Sequence, residues 1–200
     1  MSENTNTKTP KNDSSMFKFV LSVGVRLFAI CFVTVGILAV VNQFTKPRID
    51  ALAIEADNSA LKGAVPEADS FSDVEGYTPE GVVQRFYAAG KDGQQIGYCV
   101  KVAPKGFGGD IIMMGGIDRE ARITGISLVS MSETAGVGTK TRDPAFLTQF
   151  IGKTGTLSVV KRTPAGSEIE AISGATISSK AIASGVQAAM DLVKITEGGN

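Results

Sequence analysis

The alternation of apolar and polar positions divides the chain into stretches with different periods. Residues 1–16 are polar, rich in Asn, Thr, Ser and Lys. They bury too little to offset the entropy of ordering and read as a disordered N-terminal tail. Residues 17–44 are almost wholly apolar, and Leu27–Val41 holds no charge. As a helix, about 25 residues rise roughly 37 Å, enough to cross a hydrocarbon core of about 30 Å with some tilt. Arg26 interrupts the run near one end, where its guanidinium reaches the interface. A cleaved signal peptide is the competing reading, but the run is longer than a usual signal core and no small-x-small site follows it. Within residues 45–80, Pro47 suits a helix start. Ile49, Leu52, Ala53, Ala56, Ala60 and Leu61 then recur at helical spacing, predicting a juxtamembrane helix that ends near Gly63. Pro66–Glu80 is turn-rich and acidic, the pattern of a surface linker.

Beyond residue 80 the period shortens. Gly81–Ala89, Gln95–Val102, Asp110–Ile117 and Ile123–Met131 are short runs rich in Val, Ile, Phe and Tyr, and turn residues separate them at Lys91–Gly93, Pro104–Gly106 and Asp118–Glu120. This predicts an antiparallel meander. Asp143 and Pro144 mark the start of a short helix reaching about Ile151. Thr156–Lys161 reads as a further strand. The closing helix is expected from about Ser178 to Lys194, with Ile182, Val186, Ala189, Met190 and Val193 on one face. The expected fold class is α+β: one N-terminal transmembrane helix, then a single domain over residues 81–197 with an antiparallel sheet and packed helices.

Composition narrows the chemistry. Lys plus Arg equals Asp plus Glu, at 20 each. With no basic cluster interleaved with aromatics, nucleic acid is not an expected partner. The chain has no His and only Cys31 and Cys99. Catalytic designs that need His, and Cys-ligated metal or iron–sulfur centres, are therefore excluded within it. Both cysteines read as buried small hydrophobes. No metal site is expected, and any redox role needs an organic cofactor. Lys8, Lys11, Lys18 and Arg26 precede the span, against Lys46, Arg48 and Lys62 after it. That bias favours a cytoplasmic N-terminus and a domain on the extracytoplasmic side of the cell membrane.

The stretch richest in chemistry is Glu170–Lys180, in which Ser173-Gly174-Ala175-Thr176 runs into the last helix. Gly174 and Ala175 leave the backbone open to a ligand, and Ser173, Thr176, Ser178 and Ser179 offer hydroxyls. Free amides of a first helical turn favour an anion there, so the local physics favours a phosphate beside Thr176, with Lys180 as a source of positive charge. An ordinary N-cap accounts for the same residue types.

This segment resembles the flavinylation motif, a Ser/Thr-Gly-Ala-Thr core preceded by an acidic residue. Further stretches resemble the same family: Asn42–Ile49, Gly97-Tyr98, Gly106–Ile111, Gly115–Asp118, and the loop Glu133-Thr134-Ala135-Gly136-Val137-Gly138. Together they are similar to the FMN-binding G subunit of Rnf complexes, the ion-translocating ferredoxin:NAD oxidoreductases. The resemblance implies FMN bound covalently through a phosphoester to Thr176, with Ser173, Gly174, Ala175 and Ser178 around it. It implies that Glu133, Thr134, Gly136, Val137 and Gly138 lie against the flavin, and that Glu170 is a landmark for a flavin transferase, which moves FMN from FAD. It also implies other membrane and peripheral subunits as partners, membrane lipid around the helix, and a role as electron carrier without catalysis of its own. The chain departs from the family pattern at Glu170 (Asp in the motif), at Ala135 (Pro in the loop) and at Glu120-Ala121, which lacks the usual Gly. The C subunit of Na⁺-translocating NADH:quinone reductases is a related alternative, and a non-redox membrane-tethered scaffold is another.

Overall fold

A computed structural model describes residues 13–136 and 138–198. Most of the segment read as a tail, and Val137 of the loop, lie outside them. The chain divides into two compact units, Met1–Ala53 and Ile54–Asn200.

Helix α1 spans Asp13–Ala64, so helical structure begins inside the segment read as tail. In the first unit every described side chain from Met16 onward is exposed, the apolar ones included. A helical stretch exposed and apolar on every side suits a lipid surround. Among the described residues it is the one helix long and apolar enough to cross a membrane. Pro47 does not open a second helix; it lies inside α1. A proline there removes the one bond its own N–H would make, and the long helical runs on either side absorb that loss. Cys31 is exposed on this helix, so only Cys99 is covered by the chain itself.

In the second unit, strands β1 (Ser70–Asp73), β2 (Val83–Lys91), β3 (Gln94–Val102), β4 (Ile111–Asp118) and β5 (Ile123–Met131) form one sheet in sequential order. Every pairing in it is antiparallel. The residues read as a linker thus contribute an edge strand. Strand periodicity sorts side chains onto two faces. Phe86, Tyr98, Val100, Val102 and Met113 join the main core with α3 (Thr176–Gly198). Cys99, Met114 and Ala89 point to the other face, against Ala60, Leu61 and Ala64 at the end of α1. Each fully buried large side chain, such as Phe150, Ile111 or Ile117, contributes about 1.5–3 kcal/mol. Thr124 Oγ1 donates to the Ala64 carbonyl at 3.1 Å, satisfying one of the carbonyls left free where α1 ends. Lys101 Nζ bonds both carboxylate oxygens of Asp57, at 2.6 and 2.8 Å, and fastens the same helical stretch to β3.

The rest of the unit frames one end of α3. A 3-10 turn at Gly138–Arg142 leads to α2 (Pro144–Leu147), where the Asp143 side chain caps Ala145 N at 2.9 Å. The expected helix to Ile151 breaks there into a second 3-10 turn at Thr148–Phe150. Strand β6 (Ser158–Val160) pairs in parallel with β7 (Glu168–Glu170), a strand that the sequence pattern does not announce. At its far end α3 is tied back by Tyr98 Oη, which donates to Glu197 at 2.9 Å. Arg119, then Tyr98, hold the Glu197 carboxyl below its usual range.

Candidate functional site

The Ser-Gly-Ala-Thr core is a tight turn followed at once by a helix. Ala175 N donates to Ile172 O at 2.9 Å, closing the turn over Ser173 and Gly174. Gly174 has φ +81°, a region in which a side chain is strained. Ala175 O accepts from Ser179 N at 2.9 Å, which makes Ala175 the last residue before the helix. Helix α3 therefore begins at Thr176, two residues earlier than the apolar pattern suggests. Ser179 Oγ closes the structure from within: it donates to Ala175 O at 2.9 Å and accepts from Ile172 N at 3.2 Å. The turn is thus shaped without a ligand. It leaves the N–H groups of Thr176, Ile177 and Ser178 ahead of the first helical bond, where an anion is stabilised.

These residues line a cavity of about 460 Å³. Gly174, Ala175, Thr176, Ile177 and Ser178 come from α3 and the turn before it; Phe107, Glu133, Thr134, Gly138 and Lys161 complete the lining. The volume falls in the range of small-molecule sites. Phe107 and Ile177 are exposed, 70% and 54% respectively, and give the mouth two apolar lips. Ser178 is buried, with 2% exposure.

The loop opposite α3 is held by a carboxylate. Glu133 accepts from Phe107 N at 2.8 Å and, more weakly, from Gly108 N at 3.4 Å. Its charge is used to seat the 106–109 loop and so to fix where Phe107 projects. Thr134 contributes its carbonyl, which accepts from Gly138 N at 3.1 Å.

Of the residues singled out by sequence, Thr176, Gly174, Ala175, Ser178, Glu133, Thr134 and Gly138 meet in this cavity. Gly136 does not: it is exposed at φ +79°, and its N–H donates to Thr139 Oγ1 at 3.0 Å, so it serves the turn. Val137 lies outside the described residues. Ser173 and Glu170 line a separate cleft with Lys140 and Gln149. There Gln149 Oε1 accepts from Glu170 N at 2.8 Å. Lys180 and Lys161 are both exposed, but of the two only Lys161 lines the cavity. Sequence reading missed Lys161, Phe107 and Ile177 as site residues. Phe107 had a signal, a large apolar side chain among glycines between two strands. Lys161 had none.

A helix start with free amides, a hydroxyl at its first residue, a lysine and apolar lips fit a ligand with a flat ring and an anionic end. Residues 106–191 match the family model described as FMN-binding domain. Residues 16–62 match the RnfG N-terminal region. The chain is 32% identical to the G subunit of the proton-translocating ferredoxin:NAD(+) oxidoreductase complex of Clostridium ljungdahlii, over 94% of this chain and 97% of that protein. It is 32% identical to the G subunit of the Na(+)-translocating ferredoxin:NAD(+) oxidoreductase complex of Acetobacterium woodii, over 85% and 89% respectively. Among solved structures it is similar to Shewanella oneidensis NqrC, with 18% identity and a TM-score of 0.47 over 66% of this chain and 73% of that one.

Proposed function

Because the chain belongs to the family of G subunits of ion-translocating ferredoxin:NAD(+) oxidoreductase complexes, we propose that it carries FMN on Thr176. On this reading it passes electrons within such a complex, which couples electron transfer between ferredoxin and NAD⁺ to Na⁺ or H⁺ translocation. The observation that carries the reading is the cavity itself, which joins Thr176 at the start of α3 to the loops at Phe107 and Glu133–Gly138. Bound flavin supplies chemistry that this chain lacks: it takes up two electrons and releases them singly.

The chain's own residues hold and orient. In maturation, Thr176 Oγ1 forms a bond to the phosphorus bearing the ribityl chain as the pyrophosphate of FAD breaks. AMP leaves, and the hydroxyl proton passes to the transferase or to water. The free amides of α3 accommodate the remaining phosphoryl charge. Phe107 and Ile177 offer apolar surface to a ring, and Glu133 keeps the Phe107 loop in place. Glu170 and Ser173, in their own cleft, remain accessible as landmarks for the transferase. The other membrane and peripheral subunits of the complex are the partners. Helix α1 anchors the chain in the cell membrane, with the N-terminus cytoplasmic and the FMN domain outside.

Co-expression with a flavin transferase tests this. Intact mass should rise by one esterified FMN per chain, with in-gel fluorescence, and both should vanish in Thr176→Val. A bare chain, in cells where another substrate of the same transferase is loaded, sinks the reading. A topology reporter at the C-terminus tests the orientation.

A further inference from the structure

We propose that Lys161 pairs with the phosphoryl end of the flavin, acting with the first turn of α3. The inference rests on the cavity being the FMN site and names what recognises the anionic end. Two charged side chains line the cavity, Glu133 and Lys161. The Glu133 carboxylate already accepts from two backbone N–H groups of the 106–109 loop. Among the described residues, Lys161 has neither an ion pair nor a hydrogen bond. The uncommitted charge in the cavity is therefore positive, and the helix dipole adds to it. Ser178, two residues into α3, lines the same cavity.

The position of Lys161 follows from the small parallel sheet. Ala171 N donates to Val160 O at 2.7 Å, continuing the β6–β7 pairing past its last register pair, Val160 and Glu170. The residue after Val160 is thereby held beside the segment that leads into Thr176. Lys180, one helical turn beyond Thr176, does not line the cavity.

The test separates phosphate from ring. In a full-length Thr176→Val chain, which cannot be esterified, FMN and riboflavin binding are compared by flavin fluorescence. FMN should bind about tenfold more tightly than riboflavin. Adding Lys161→Gln should bring FMN down to the riboflavin level and leave riboflavin unchanged; Lys161→Arg should restore the preference, and Lys180→Gln should keep it. Equal loss for both ligands, no loss, or the same loss in Lys180→Gln overturns the proposal. If free flavins bind too weakly to compare, amine acetylation decides. Lys161 should be acetylated several-fold more slowly in the esterified chain than in Thr176→Val, with Lys180 equal in both; equal rates at Lys161 overturn it. A chain still loaded at Thr176 while these tests fail leaves the FMN reading standing.

Discussion

At the end of α1, a methyl group placed on Gly125 would fall 2.6 Å from the Ala64 carbonyl oxygen, and one on Gly116 closer still to the same atom. Around the cavity, a methyl on Gly138 would fall 2.5 Å from Glu133 Oε2, and one on Gly106 would run into Oε1. Both regions require glycine, but the obstacles differ. Beneath the helix the obstacle is backbone, fixed by the Thr124 hydroxyl and by the pairing of β4 with β5. For these two cavity glycines the nearest obstacle is the Glu133 side chain, although a methyl on Gly108, in the same loop as Gly106, would run into the Ser132 carbonyl oxygen. The first region is therefore rigid and holds the sheet to α1. The second depends on one side chain, Glu133, whose carboxylate also accepts from the Phe107 N–H.

Gly116→Val breaks the contrast most directly. Ala64 O cannot move without the helix end, so a loss of about 3 kcal/mol is expected, at the upper end for overpacking. Urea unfolding of the chain with residues 13–53 removed, followed by circular dichroism, measures it. Gly106→Ala should lose about 2 kcal/mol in the same assay, because Glu133 can swing aside only by giving up its bonds to the 106–109 loop. Equal losses would dissolve the distinction.

Lys101→Met comes next. The pair with Asp57 is mostly buried, at 16% and 26% side-chain exposure. Its value lies between exposed and buried ion pairs, so about 2 kcal/mol should be lost, with Asp57→Asn adding little on top. A double-mutant cycle reads the coupling.

Cys99 sharpens the picture from inside the same interface. Burial pushes its thiol up to about 12 from an ordinary value of 9.0. Below pH 9 folded and unfolded chains both hold the proton; between 9 and 12 only the folded chain does, so stability falls as pH rises. The loss should reach about 1.4 kcal/mol by pH 10. Cys99→Ala should remove that slope, and an unchanged alkaline limb would show that the thiol is not its source.

Glu133→Gln gives the smallest loss of stability, about 1 kcal/mol, because the Phe107 N–H keeps an uncharged acceptor. Its larger effect should be spectroscopic. With Phe107 less firmly held, the flavin on Thr176 should fluoresce more strongly, while intact mass shows full attachment.

Much of this was legible in the sequence because the signals were local. The lipid-facing run, strands β2 to β5 and the apolar face of α3 each carry their signal over eight residues or more. The Ser-Gly-Ala-Thr turn names its own geometry, since Gly174 needs a positive φ and Ala175 must be small. Short pieces joined by distant partners escaped. Strand β1 is four mostly exposed residues, recognisable only by its pairing with Tyr87–Gly90. Strand β7 is three residues long and exists through its parallel partner. Lys161 reaches the cavity through that pairing, which is why nearness along the chain pointed to Lys180 instead.

The clasp formed by Ser179 has a use beyond this molecule. The bonds that shape the turn begin at Ile172 and end at Ser179, while Ile172 packs on the main core and Ala175, Ser178 and Ser179 are buried. Spliced onto the leading end of an unrelated helix together with Glu170, the segment should serve as a handle for a coloured, redox-active label only where that helix offers the turn a comparable apolar bed.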